Sequence, residues 1–504
     1  MIATSGNLKG GSVRSYEDLH KYQRFAIAQG VNLGYVAYFL GTGLGKTIIY
    51  LGVIDQLLKR GLIQNVLIVS TKKVVYNTFR QEAQQWEPTK DLTFSIIHGN
   101  AYSGSAEASR RRGFHSDAQI KLINCDGLPW LAKHLQRKGY DGVNAKFPFQ
   151  CIIYDESTKM KHSTTQRFKV FKKYMSKFRY RFIGTGTPIP NGVMDLFGQM
   201  YVLDLGETLG TVLGNYRSRY FMQFGNDPAN RKYLPIKTAR EAIQKRIRKR
   251  VIYMKKQDYV ELPPIHYNPI LLDLPNRLRG QYDELEDTFF LELAEAKVEA
   301  FSTAALSMKL RQYLQGSLYT YGEDSDKRVT LDVHSEKLDY LKELVDTSKG
   351  STRILEGIGN CIIAYNFHFE REDLLKLFPD APVIDGSAKD SAVTAAIEGW
   401  NRGLHPILLF NPASDPHGLN LQFGGNQVLW YSLTWNLEHY MQLIDRLWRQ
   451  LQKRTVFVHH LLFRNTVDEV IFGALTAKDA EQESLLHALK QYRQTATGGS
   501  PKGN

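Results

Sequence analysis

The sequence predicts an α/β protein of two parallel-sheet lobes in tandem, with a short, mainly helical, basic insert between them. Three observations carry this. Short apolar runs alternate with helical patterns in two separate series. The stretch between the series loses strand signals and gains charge. The 504 residues also exceed what one core holds, so two or three domains are expected.

The first series is YVAYFL (35–40), NVLIVS (65–70), AQIKLINC (118–125), FQCIIYDES (149–157) and YRFIGTG (180–186). Continuous apolar runs of this length, separated by helical patterns, are strands buried on both faces of a parallel sheet. They place the first lobe at 1–205. The next segment, 206–264, is rich in charge. Within it Ile243, Ile247 and Val251 recur at helical spacing in AREAIQKRIRKRVIYMKKQD (239–258), which predicts one amphipathic basic helix. LPP (262–264) then acts as a connector. The second series is CIIAYNF (361–367), APVIDG (381–386), HPILLFN (405–411), NQVLWYS (426–432) and TVFVHHLL (455–462), giving a second lobe at 265–485. The remainder, 486–504, has the composition of a flexible tail.

Bulk composition narrows the function. No apolar run approaches the ~20 residues of a membrane helix, and the N-terminus lacks the layout of a signal peptide. A cytoplasmic protein is expected. Cys125, Cys151 and Cys361 are far apart, which argues against a zinc site or a disulfide framework. The 65 basic residues outnumber the 51 acidic ones, for a net charge of +14. That surplus favours a polyanionic partner such as nucleic acid.

The chemistry starts at GTGLGKT (41–47). Gly41, Thr42, Gly43, Leu44 and Gly45 form a glycine-rich turn that opens a helix, so its backbone N–H groups make a nest for phosphate. Lys46 can reach the terminal phosphates and Thr47 can offer its hydroxyl to Mg²⁺. The usual pattern has glycine at the position of Leu40, which is expected to pack beneath the turn. A carboxylate partner ends a later strand. Asp155 is placed to hold the metal and Glu156 to polarise the attacking water. GTGTPIPNG (184–192) supplies a third strand-end loop of hydroxyls and glycines. RFKVFKKYMSKFRYRF (167–182) interleaves basic and aromatic residues, but Phe171, Tyr174, Met175 and Phe178 fall at helical spacing and predict a core-facing helix.

These motifs, in this order, resemble a superfamily 2 helicase-like ATPase, and within it the Swi/Snf-type DNA translocases. LHKYQRFAI (19–27), GTGLGKT, DESTKMKH (155–162) and GTGTPIPN (184–191) match the first lobe; PASDPHGLNLQFGGNQVLWYSLTWN (412–436) and QLIDRLWRQLQK (442–453) match the second. The resemblance implies two RecA-like lobes with ATP and Mg²⁺ between them. It makes Gln23 the reader of adenine. It makes Arg446 and Arg449, three apart and expected on one helix face, the cations supplied by the second lobe. It implies DNA contacts at Lys72, Asn124, Thr187, Ser387 and Asn420. Trp435 and Trp448 can either stack on bases or pack in the core, and packing is the expected setting. Thr158 stands where the family often has His or Asp, and Asp415 and Pro416 stand where paired glycines are usual. The expected activity is DNA-dependent ATP hydrolysis that drives translocation, remodelling or unwinding. The expected form is a minimal monomeric motor of phage or bacterial type. A nucleotide-gated DNA clamp with little turnover and a DEAD-box-like RNA helicase are the alternatives.

Overall fold

Each apolar run becomes a strand. The computed structural model describes residues 13–142, 145–225, 231–295, 300–322, 325–345, 360–414 and 420–477. Six strands come first: β1 (Tyr35–Leu40), β2 (Val66–Ser70), β3 (Phe94–Ile97), β4 (Ile120–Asn124), β5 (Cys151–Asp155) and β6 (Tyr180–Thr185). An antiparallel hairpin follows, of β7 (Phe221–Phe224) and β8 (Lys232–Pro235), and then β9 (Val251–Met254). The first sheet has the order β3-β4-β2-β5-β6-β1-β9 and every pairing in it is parallel.

The chain divides into two compact units. The first runs to Tyr220 and is rejoined by Lys237–Tyr259; the second takes Phe221–Ile236 and resumes at Val260. The basic stretch 239–258 is not the single helix its periodicity predicts. The helix spans Ala239–Ile247, buries Ile243 and Ile247, and stops. The chain then turns at Arg250, whose carbonyl accepts from Ala37 N at 2.8 Å, and β9 pairs along β1 from Ala37↔Val251 to Leu40↔Met254. Val251 is buried as expected, but as a strand residue. β-branched Val251 and Ile252 suit a pleated, half-covered edge, and a sheet edge was available for them. Among its described residues, the segment 206–264 thus holds the α-helices Leu213–Tyr220 and Ala239–Ile247 together with a hairpin and a sheet strand.

The aromatic-basic stretch also departs from one continuous helix. The helix Gln166–Lys172 ends before a short turn at Met175–Lys177. Phe171, Tyr174, Met175 and Phe178 are all buried nonetheless.

The second unit contributes β10 (Ile265–Leu272), a hairpin of β11 (Ser317–Gly322) and β12 (Ser325–Asp332), then β13 (Asn360–Ala364), β14 (Val383–Ile384), β15 (Ile407–Phe410), β16 (Gly425–Trp430) and β17 (Val456–Phe463). Its sheet is parallel, in the order β10-β17-β16-β13-β15-β14. Strand alternation explains the continuous apolar runs. Ile362, Ala364, Val428, Trp430 and Val458 enter one core cluster, and Cys361, Ile363, Leu429 and Leu461 enter the other. Successive side chains point to opposite faces, so a strand covered on both sides needs an apolar residue at every position. β10 lies at the sheet edge and carries Pro269, which lacks an N–H to pair. Trp448 belongs to the larger cluster and Trp435 packs against it.

Candidate nucleotide site

The motifs of the first unit meet because their strands are neighbours and parallel. In the spatial order β4, β2, β5, β6, β1, the strands end at Asn124, Ser70, Asp155, Thr185 and Leu40. Ligands of open parallel sheets bind beyond such carboxyl ends.

The turn after β1 is held from three sides. Gly41 N donates to the carbonyl of Met254 on β9 at 3.0 Å, and Leu44 N closes the turn onto Gly41 O at 3.3 Å. The hydroxyl of Tyr22 and the Nε2 of Gln23 both donate to Leu44 O at 3.3 Å. Gly45 caps the helix Lys46–Lys59 with φ 76°, in the left-handed region. A side chain there is strained, and a Cβ would lie 2.4 Å from Gln23 Nε2. Leu40 is fully buried beneath the turn, and Lys46 Nζ donates to its carbonyl at 3.0 Å. The helix's first amides have no carbonyl one turn earlier, so they face the turn as donors. Gln23 is 6% exposed. Its Oε1 accepts from His20 N at 3.0 Å while its Nε2 holds Leu44. Its amide therefore braces the turn from within the lobe. Tyr22 also packs its ring on Tyr259, centroids 4.8 Å apart, and burial together with Tyr259 pushes its phenol up to about 12.

The acid pair is equally built. Asp155 sits across from Gly184 in the register of β5 and β6, and Ser70 Oγ donates to its Oδ2 at 2.9 Å. Glu156 has φ 60° and ψ 58°. For a residue with a side chain this left-handed conformation costs of the order of 1–3 kcal/mol, and such strain concentrates at functional sites. Thr185 Oγ1 donates to Glu156 Oε1 at 2.6 Å and accepts from Thr187 N at 3.2 Å. The next turn is fixed by Ser157 Oγ donating to Gln199 Oε1 at 2.7 Å, with Gln199 Nε2 donating to Pro188 O at 2.6 Å. Thr158 is buried within that turn. Behind the pair, burial and then the charges of Asp155 and Glu156 hold the Tyr50 phenol well above its ordinary value. Ser70 and Tyr50 were not singled out from sequence, whereas Thr185 lies in the strand-end loop of hydroxyls 184–192. A polar residue ending an otherwise apolar strand, as Ser70 does, was the readable signal.

Of the residues expected on nucleic acid, Lys72, Asn124 and Thr187 lie at the same carboxyl edge as the phosphate turn. Lys72 is exposed, Asn124 half-buried and Thr187 buried. Ser387 and Asn420 are not brought together. Ser387 follows β14, and its hydroxyl and amide both donate to Asp385 Oδ1, at 2.7 and 2.9 Å. Asn420 O accepts from Asn401 Nδ2 at 2.7 Å. Asn401 ends the 12-residue helix Asp390–Asn401, which carries the chain roughly 18 Å back to the opposite edge of the second sheet. Asp415, Pro416 and the tail 486–504 lie outside the described residues.

Arg446 and Arg449 do not share a helix face. The helix Leu437–Leu447 contains the buried Arg446 and ends before Arg449. The cause is Trp448. Its Nε1 donates to Pro263 O at 2.8 Å and its ring joins the core, so the chain leaves helical geometry there, with φ -85° and ψ 79°. Arg449 is half-buried. Burial pulls its guanidinium below the ordinary value, with Asp445 opposing that pull. Gln452 clamps the following turn, donating to Gln422 O at 2.9 Å and Gly425 O at 2.8 Å.

The model of the SNF2-related domain matches residues 41–316, more than half of the chain and all of the first-lobe motifs from the phosphate turn onward. The chain belongs to the SNF2-related family. Its two parallel-sheet lobes are the tandem RecA-like lobes of a helicase-like ATPase core. Among similar proteins, putative protein p41 of Acyrthosiphon pisum secondary endosymbiont phage 1 is 32% identical, over 93% of this chain and 98% of its own length. The uncharacterized ATP-dependent helicase YqhH of Bacillus subtilis is 23% identical, over 86% of this chain and 73% of its own. The solved SWI2/SNF2 ATPase core of Sulfolobus solfataricus in complex with dsDNA is 20% identical and covers 94% of this chain and 95% of its own, with a TM-score of 0.40.

Proposed function

We propose that this protein is a DNA-dependent ATPase that converts ATP hydrolysis into movement along DNA. The observation that carries the reading is the acid pair. Asp155 and Glu156 stand at a strand end between Ser70 and Thr185, in the same row as the phosphate turn, with Glu156 in a strained left-handed conformation. In this reading the amides after Gly43 and the Lys46 ammonium take the β- and γ-phosphates. Thr47 and Asp155 would hold Mg²⁺. One hydroxyl and one carboxylate suit an ion that keeps most of its coordination for phosphate and water. Such an ion supplies charge neutralisation at the phosphates. Glu156 orients the attacking water and accepts its proton, with Thr185 fixing the carboxylate. Arg446 and Arg449, carried by the second unit, supply the cations that stabilise charge on the transferred phosphoryl group. DNA is held through its phosphates, by Lys72, Asn124 and Thr187 of the first unit and by Ser387 of the second. A motor cannot depend on base sequence.

The test is phosphate release without nucleic acid and with double-stranded, single-stranded, branched DNA and RNA in turn. Stimulation by DNA above RNA is expected. Turnover that no DNA form raises would point instead to a nucleotide-gated clamp, and stimulation by RNA alone to an RNA helicase.

A further inference from the structure

At the edge of the second sheet where its strands begin, four chain segments surround an open groove of ≈ 630 Å³. They are the start of β13, the end of the helix Asp390–Asn401, and the runs entering β16 and β17. The volume suits a ligand of nucleotide size.

Four properties of the lining narrow what enters. Arg402, Lys453 and Arg454 are exposed along it, and among the described lining residues none is acidic. Phe423 stands in the wall with 53% of its surface exposed, an unusual setting for a phenylalanine beside three cations. Gln422 is only 5% exposed, yet its Oε1 has no hydrogen-bond partner among the described residues. Asn401 Oδ1 is likewise buried and unpartnered, while its Nδ2 is fixed on Asn420 O. A buried acceptor without a donor is costly and calls for a ligand that brings one. The required ligand is therefore anionic, flat and apolar on one face, and edged with N–H donors.

We propose that this groove binds a nucleoside phosphate. Arg402, Lys453 and Arg454 take the phosphate, Phe423 stacks on the base, and Gln422 Oε1 and Asn401 Oδ1 accept the two N–H bonds of an exocyclic amino group such as that of adenine. An aromatic platform flanked by cations is how sequence-tolerant single-strand sites are built. The groove shares no residue with the phosphate turn. The ligand is either a free mononucleotide or one unit of a strand.

The experiment uses the full chain carrying Lys46→Ala, so that the phosphate turn contributes little and the outcome does not depend on ATP turnover. The probes are a short 5′-phosphorylated oligodeoxyadenosine and free dAMP. Phe423→Ala is expected to weaken oligonucleotide binding by roughly tenfold. Phe423→Trp retains binding and its added emission is quenched by the probe. Replacing Arg402, Lys453 and Arg454 together by Ala lowers the salt slope by about 2. Displacement of the oligonucleotide by dAMP means a mononucleotide suffices; resistance to dAMP means a strand is the ligand. Unchanged affinity and salt slope in all variants overturns the proposal, as does emission in Phe423→Trp that ignores a bound oligonucleotide. Tighter binding of an acidic peptide than of either probe also overturns it.

Discussion

The Lys46 ammonium donates to the carbonyl of Leu40 at 3.0 Å, six residues back and at the foot of the same turn. In the proposed reading, the lysine exchanges that oxygen for phosphate when ATP binds. The contact is half-buried, and the turn is also held by Met254, Tyr22 and Gln23, so the fold does not rest on it alone. Lys46→Ala is expected to abolish hydrolysis while leaving the melting temperature within a few degrees. Radiolabelled ATP turnover and thermal melting check this, and wild-type turnover would remove the phosphate-turn assignment.

Glu156 separates stability from activity. Its left-handed backbone costs roughly 1–3 kcal/mol, and asparagine tolerates that conformation better. Glu156→Asn should melt no lower than the parent. Its hydrolysis should fall ~10²–10⁴-fold, the range for a lost general base, with ATP still bound. A melting loss together with normal turnover contradicts both halves.

Gly45 leaves no room. A Cβ there meets Gln23 Nε2 at 2.4 Å in a backbone with φ 76°. Gly45→Ala is therefore expected to weaken ATP binding strongly and to lower stability by about 1–3 kcal/mol, as denaturant titration would show. Because Gln23 is the obstacle, Gln23→Ala in the same chain should recover part of the stability without restoring ATP affinity.

Arg449→Ala should reduce kcat far more than it raises the KM for ATP, by about 10³ if the guanidinium acts on the transition state. Equal changes in both would place Arg449 in binding.

His459 and His460 make the second unit acid-sensitive. Burial, then its neighbour His459, pushes His460 down to about 3, and burial pushes His459 down to about 4, each from 6.5. The unfolded chain takes up these protons near pH 6.5 and the folded chain does not until far lower. Their stabilisation is complete above pH 6.5 and is lost as pH falls towards 4, with a slope up to ~1.4 kcal/mol per pH unit for each. His460→Gln retains a partner for Tyr440, whose hydroxyl lies 2.9 Å from His460 Nε2, and should flatten the melting profile between pH 7 and 5. Parallel profiles for the two proteins would rule His460 out.

The parts of the fold that were legible in sequence are those governed by local pattern. Runs such as CIIA (361–364) and ILLF (407–410) are apolar at every position because two cores cover their strands, and such runs have no other economical reading. What was not legible depends on partners distant in sequence. β9 continues a helical periodicity and is a strand only because β1 offers an edge. Arg449 leaves its helix because Trp448 finds Pro263, 185 residues away. In the site, the phosphate turn and the acid pair were readable as motifs. The support from the Met254 carbonyl was not, since a backbone carbonyl carries no signature until its neighbour is known. The separation of Ser387 from Asn420 needed the direction of the helix Asp390–Asn401, which spacing does not give.

The Met254 carbonyl that anchors Gly41 has a consequence for biosynthesis. The phosphate turn is translated early, but the strand that fastens it is made more than two hundred residues later, after the hairpin assigned to the other unit. A ribosome that has just released residue 220 holds a first lobe with an open edge beside its most important loop. Fragments cut at that point for expression would carry the same defect, whereas one extended through Tyr259 would close it.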